Sequence, residues 1–166
     1  EAAIGIEQLK KLTPLVQSQQ HAGEKLARGL NNLEGLRGPI IKHGNTHAYH
    51  VYPLVLDLEL LQLDRNTIYQ ALVAEGIEEL GAGYENLHLL PMFQKKLAYG
   101  SHGFPWTSDI CHRDVDYTIG ICPVAESLHS ESFLAIPMCL YDFSDTDVDL
   151  VIDAFHKVWS CLDQLR

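Results

Sequence analysis

Two stretches with strand character lie far apart in this chain, and their separation limits the possible topologies more than any other feature. Between His47 and Leu58, the residues Tyr49, Val51, Leu54, Val55 and Leu56 are types that suit a pleated surface. They are bounded by Gly44-Asn45 and Asp57, which predicts a strand over about Ala48–Leu56. A second strand is predicted over Phe133–Tyr141, which alternates and is strongly apolar. Each stretch is interrupted by one proline, Pro53 and Pro137. A proline nitrogen cannot donate to a ladder, so Pro53 should sit at a bulge or turn its nitrogen to an unpaired edge. With about 75 residues between them, the two strands are not a plain hairpin, and the connection is long enough for either orientation.

Helical patterns fill the rest. Ala2, Ala3, Ile4, Ile6, Leu9 and Leu12 give the first one, from Glu1 to Leu12. Thr13-Pro14 reads as an N-cap with a first-turn proline, predicting a second, half-exposed helix from Pro14 to about Leu30. Asn31, Asn32, Gly35 and Gly38-Pro39 end it. Asp64 caps a predicted helix from Arg65 to about Glu75, with Ile68, Ala71 and Leu72 inward and Gly76 just past its end. A short strand is expected at Ile77–Leu80, and Cys122-Pro123 opens a helix through about His129, whose start the Glu126 carboxylate should stabilise. The clearest element is the last: Ser144 and Asp147 form a capping-box-like start, and Val148, Val151, Ile152, Phe155, Val158, Trp159 and Leu162 keep the helical period. Few strands among several helices predict an α+β fold, a small and mainly antiparallel sheet packed against helices. The length of 166 residues fits one domain, with 1–31 as N-terminal helices and 45–166 as the α+β body.

The residues exclude several functions. A net charge of −10 argues against nucleic-acid partners, which require clustered Lys and Arg. No apolar run approaches the ~20 residues of a membrane span, so no membrane partner is expected and a soluble, cytoplasmic protein is. Cys111, Cys122, Cys139 and Cys161 are widely spaced without CxxC, as reduced thiols would be. His43, His47 and His50 do not favour a metal, because positions three apart on a strand face opposite sides. Cys111, His112, Cys122 and His129 depart from structural zinc spacings. No metal site is expected. There is no nucleophile elbow, dinucleotide fingerprint or phosphate loop. Asp142, Asp145, Asp147, Asp149 and Asp153 fit the cap and solvated face of the last helix. No catalytic residue is therefore expected within these residues.

One stretch is better suited to binding than to packing. Gly83-Tyr84-Glu85-Asn86-Leu87-His88-Leu89-Leu90-Pro91-Met92-Phe93-Gln94-Lys95-Lys96, continued by Gly100 and Gly103-Phe104-Pro105-Trp106, reads as an ordered aromatic loop. It resembles the G-Y-x-x-L-x-x-x-P-x-[FY]-Q-K-K…G-x-x-G-F-P loop of sugar aminotransferases of the DegT/DnrJ/EryC1/StrS family. Ala2 to Leu9 resembles that family's AAIGxxQL helix start, His47 to Pro53 its H-x-Y-H-x-Y/F strand, and Cys122 to Leu128 its CPxAExL segment. With Arg65, Leu72 and Gly76-Ile77, the resemblance covers nearly the whole chain.

The resemblance implies the C-terminal, smaller domain of a fold type I enzyme that depends on pyridoxal 5′-phosphate. In such enzymes the Schiff-base lysine and the phosphate donors come from the part preceding the AAIGxxQL segment. None of Lys10, Lys11, Lys25, Lys42, Lys95, Lys96 or Lys157 stands in that lysine's motif. The chain is thus expected to be inactive and without cofactor by itself, and to need an N-terminal cofactor domain as partner. The implied reaction moves an amino group from glutamate or glutamine to a keto-sugar linked to a nucleotide, or to a cyclitol ketone. A sugar dehydratase of the same family and a non-enzymatic binding module are the alternatives. By motif position the substrate-side wall is Tyr84 to Phe93, with Tyr84 and His88 as polar contacts and Met92 and Phe93 as apolar ones. The first histidine of the H-Y-P…H version of this loop is absent here. Ala2, Ala3, Ile4 and Ile6 would pack on the large domain, and without it a homodimer or other self-association is expected. The Gly83 loop should then be the most mobile part.

Overall fold

The computed structural model describes residues 1–166. It divides into two compact units, one of residues 1–82 with 132–166 and one of residues 83–131. In chain order the elements are α1 (Ala2–Leu30), β1 (Leu36–Arg37), β2 (Tyr52–Leu56), α2 (Leu58–Leu61), α3 (Arg65–Ala74), β3 (Gly81–Ala82), α4 (Pro91–Gln94), α5 (Pro123–Ser127), β4 (Phe133–Ile136), α6 (Asp145–Ser160) and α7 (Leu162–Leu165). None of the helices is long and apolar enough to cross a membrane.

In the first unit, the four strands form one sheet in the order β1-β2-β4-β3, and every neighbouring pair is antiparallel. The fold is α+β with a small antiparallel sheet. The two distant strand patterns are direct partners, with Tyr52 opposite Ile136 and Val55 opposite Phe133. The Asp57 amide donates to Gly35 O at 2.8 Å on the β1 side. By the two-residue alternation of a strand, Val55 and Pro53 aim their nitrogens the same way. Since β1 stops at Arg37, opposite Val55, the Pro53 nitrogen faces no strand, as expected for a ring that cannot donate.

Both strands are shorter than predicted. Tyr49 has φ 46, in the left-handed region, and its amide donates to His47 Nδ1 at 2.9 Å, so extended backbone begins only at Tyr52. At the far end Pro137 closes β4 and leads into a 3₁₀ turn over Met138–Leu140. The strand expected at Ile77–Leu80 is instead a turn: Ile77 N donates to Leu72 O and Leu80 N to Ile77 O, and pairing starts at Gly81.

The two N-terminal helices are one. α1 runs through Pro14, and Thr13 caps nothing. Proline removes a single intrahelical bond, and the strong helix formers Lys10, Lys11, Leu12, Leu15 and Gln17 around it carry the helix across the gap. The other boundaries follow local chemistry. Thr67 N donates to Asp64 Oδ1 at 3.0 Å, starting α3, and Gly76 with φ +99 ends it where a side chain would be strained. Ser144 and Asp147 exchange the capping-box bonds, 3.3 Å from Asp147 N to Ser144 Oγ and 2.9 Å from Ser144 N to Asp147 Oδ2.

Burial follows from these patterns. β2 alternates buried with half-buried positions, and Tyr52, Leu54 and Leu56 join Leu134, Ile136 and Met138 in the core. The helices supply the rest: Ala22, Leu26 and Leu30 of α1, Ile68 and Leu72 of α3, and Val148, Phe155 and Val158 of α6. Trp159 is tied at its polar end, with Nε1 donating to Glu34 O at 2.8 Å.

The second unit has little regular structure, namely a 3₁₀ turn at Leu87–Leu89, α4, and α5 continued as a π-helical turn over Leu128–Ser132. Local backbone turns such as Leu97 N to Met92 O and Thr107 N to Gly103 O hold it together with side-chain bonds, and it contains the stretch that resembles a binding loop.

Candidate functional site

The substrate-wall candidates fall into two groups. Tyr84 is 73% exposed and Met92 is 43% exposed, so both present their side chains to solvent. His88 and Phe93 turn inward. The 3₁₀ turn carrying His88 and the one-turn α4 carrying Phe93 adjoin, Leu90 and Pro91 setting the start of α4. Phe93 is half-buried in an aromatic trio with Trp106 and Tyr117, at ring-centroid distances of 6.1 and 5.3 Å. Trp106 meets Tyr117 edge-on at 6.4 Å, and its Nε1 donates to the Tyr117 hydroxyl at 3.1 Å. Edge-to-face packing with a satisfied indole N–H makes this a small core. Of the apolar residues predicted at the wall, Phe93 is thus an internal anchor.

His88 occupies a second node. Its Nε2 lies 2.9 Å from Glu126 Oε1, the two side chains being 11% and 16% exposed. Glu126 also accepts the Gly120 amide, 2.8 Å to Oε2, and the Cys122 amide, 3.1 Å to Oε1. Burial alone pushes the Glu126 carboxyl up, but the Gly120 and Cys122 amides and His88 outweigh it and hold it below its usual range. The carboxylate therefore does more than support its own helix: it gathers the 120–122 turn and the His88 turn together. Gln94 adds a third bridge, its Nε2 donating to His88 O at 2.7 Å and to Tyr117 O at 2.6 Å.

A cleft of about 380 Å³ lies beside Phe93, lined by Gln94, Lys96, Asp114, Asp116 and Tyr117 among others. Lys96 pairs with Asp114 at 2.8 Å; the bond raises the ammonium and lowers the carboxyl from their ordinary values. At Gly103, with φ +77, an added Cβ would come within 2.8 Å of Thr107 Cγ2, so the turn after Lys96 requires glycine on both counts. Glu126, Gln94 and Tyr117 were not predicted at the site. Glu126 was visible within CPxAExL, but nothing in its spacing pointed to His88.

The chain has seven lysines. Lys25 and Lys96, half-buried, are paired with Asp145, Asp149 and Asp114, and the other five are exposed. A Schiff-base lysine needs a desolvated, uncommitted amine beside an anion cradle, and no step through pyridoxal phosphate is assigned to these residues. No three His, Cys, Asp or Glu side chains converge to hold a metal ion.

Residues 1–123 match the DegT/DnrJ/EryC1/StrS aminotransferase family. Among curated proteins, the chain is 30% identical over 119 residues to the uncharacterized protein MJ1066 of Methanocaldococcus jannaschii, covering 72% of this chain and 31% of that one. It is 25% identical over 159 residues to the spore coat polysaccharide biosynthesis protein SpsC of Bacillus subtilis, covering 95% of this chain and 36% of the relative. The chain thus spans about a third of the length of the curated relatives it matches. Among solved structures, the aminotransferase TlmJ of Streptoalloteichus hindustanus superposes with a TM-score of 0.65 at 25% identity, over 98% of this chain and 36% of that one. Spr1654 of Streptococcus pneumoniae, named a putative sugar aminotransferase and solved in its PMP form, gives a TM-score of 0.65 at 22% identity, over 97% of this chain and 35% of that one. The latter likeness concerns the fold alone.

Proposed function

The chain belongs to the DegT/DnrJ/EryC1/StrS aminotransferase family, and from that premise we propose that it forms the substrate-side part of a sugar aminotransferase. The observation that carries the reading is the family match over residues 1–123, which includes the Tyr84–Phe93 loop. The naming of TlmJ as an aminotransferase and of SpsC as a polysaccharide biosynthesis protein supports it. In this reading a cofactor-bearing part outside these residues holds pyridoxal phosphate, which supplies the carrier for the amino group. Glutamate or glutamine is the donor, and a keto-sugar linked to a nucleotide is the acceptor.

The residues of this chain bind and orient. Tyr84 offers an exposed hydroxyl and Met92 an adaptable apolar surface. Phe93 sets the shape of the wall from behind through the aromatic trio, and the Glu126 node fixes the ring of His88, the second polar contact. Positioning of this kind acts on the rate, because a reacting ketone displaced by about 1 Å can lose 10²-fold.

The test is an assay of the whole protein with pyridoxal phosphate, glutamate or glutamine, and a panel of nucleotide-linked keto-sugars. Amino-sugar formation is expected, together with a several-fold rise in KM for the sugar in Tyr84→Phe and Met92→Ala. Dehydration of the sugar in place of amino transfer, or turnover indifferent to both substitutions, would overturn the reading.

A further inference from the structure

The His88–Glu126 contact has a defined polarity. Glu126 Oε1 lies 2.9 Å from His88 Nε2, 3.1 Å from the Cys122 amide nitrogen and 3.0 Å from the Gly120 amide nitrogen, which also reaches Oε2 at 2.8 Å. Backbone N–H groups only donate. A proton on Oε1 would face two N–H groups, and one on Oε2 would face the Gly120 amide. The carboxylate is therefore ionised and purely an acceptor. An unprotonated Nε2 would then set its lone pair against a carboxylate oxygen at hydrogen-bond distance, in a place where both side chains are mostly shielded from water. The proton belongs on Nε2, and the lone pair of the neutral ring belongs on Nδ1.

We propose that Glu126 is a positioning residue that holds His88 as its Nε2–H tautomer, making Nδ1 the ring's acceptor toward a hydroxyl of the bound sugar. The inference rests, for its substrate clause, on the reading of Tyr84–Phe93 as the substrate wall. Two sets of bonds support it, one on the His88 backbone and one on the carboxylate. The Gln94 amide holds the His88 carbonyl, and with it the backbone from which the ring projects. The Gly120 and Cys122 amides hold the carboxylate, so the ring meets a fixed partner 38 residues away in the chain. A half-buried carboxylate behind an imidazole selects which nitrogen is basic and where it points, a selection that a solvated histidine lacks.

The test reads the ring directly. Long-range proton–nitrogen correlation on the ¹⁵N-histidine-labelled 166-residue chain, above neutral pH, is expected to show His88 with Nε2 protonated and Nδ1 bare. An Nδ1–H ring, or an even mixture, would overturn the proposal without need of any variant. Glu126→Gln is expected to lose the single-tautomer signature. His88→Gln, which keeps a donor at the Nε2 position, should leave the exchange of the Gly120 and Cys122 amides as in the wild type, and His88→Asn, which places its amide at the Nδ1 position, should speed it. Equal behaviour of the two would count against a hold exerted through Nε2. In the whole protein, His88→Gln should cut kcat/KM for the sugar at least tenfold with amide protection intact, and undiminished kcat/KM would remove the acceptor role. A wild-type protein without amino transfer would instead sink the aminotransferase reading, because the tautomer is measured with no substrate present.

Discussion

Glu126 gives a pH dependence whose sign can be worked out from its partners. Its folded carboxyl lies below the ordinary value, burial opposing and the Gly120 and Cys122 amides and His88 prevailing. A group depressed on folding contributes stability that is fully present above its unfolded value, about 4.3 for glutamate. That contribution is lost as the pH falls from there through the depressed folded value. The Gly120 and Cys122 amide resonances should therefore move together with a midpoint below pH ~4.3, and in Glu126→Gln that acid transition should vanish from both. Asp114 and Asp116 are depressed as well, by Lys96 and by Thr118, so the difference between wild type and variant isolates Glu126. A midpoint at or above the ordinary glutamate value would contradict the node. Core residues behave more simply. Phe155 is fully buried and stacks on Trp159 at 5.8 Å. Phe155→Ala should cost about 3–5 kcal/mol in urea unfolding, from lost transfer energy and an unfilled cavity.

Among the elements, those defined by neighbours in sequence were legible and those defined by distant partners were not. The starts of α3 and α6 and the glycine after α3 each depend on residues a few positions apart. Ser144→Ala removes the oxygen that accepts the Asp147 amide and should destabilise by about 1 kcal/mol, read from the thermal midpoint of α6 helicity. Unchanged stability would mean that the cap is replaced by water. β1 and β3 are two residues each, too short for any alternation, and they exist because β2 and β4 offer edges to pair with. The junction at Pro14 misled because Thr-Pro is a good helix start in isolation, whereas a continuous run of helix formers tolerates one missing bond. The candidate site shows the same division. Motif resemblance located the Tyr84–Phe93 loop, but the turning inward of His88 and Phe93 depends on Glu126, Trp106 and Tyr117, at separations where spacing holds no information.

The first half of α1 carries a run of exposed apolar side chains. Ile4, Ile6, Leu9, Leu12 and Leu15 of α1 are each more than half exposed, while the buried residues of the same helix begin only at Ala22. Fully burying such a side chain is worth about 1.5–3 kcal/mol, so a contact that covers several of them works against the entropic cost of association. A second copy is available to any isolated chain, and the net charge of −10 is the main opposing force. That repulsion is long-ranged and screened by salt, with a Debye length of about 30 Å at 0.01 M and 8 Å at 0.15 M, whereas the apolar attraction is not weakened by it. Self-association of the 166-residue chain should thus strengthen as salt rises, and sedimentation velocity over a concentration series should show a dimer or larger species at 0.15 M. Leu9→Lys with Leu12→Lys, one turn apart on α1, should return it to a monomer without loss of helicity, since both residues are solvent-facing and lysine is a good helix former. A wild-type chain that stays monomeric at all concentrations, or a double variant that associates as strongly as wild type, would place the contact elsewhere or nowhere.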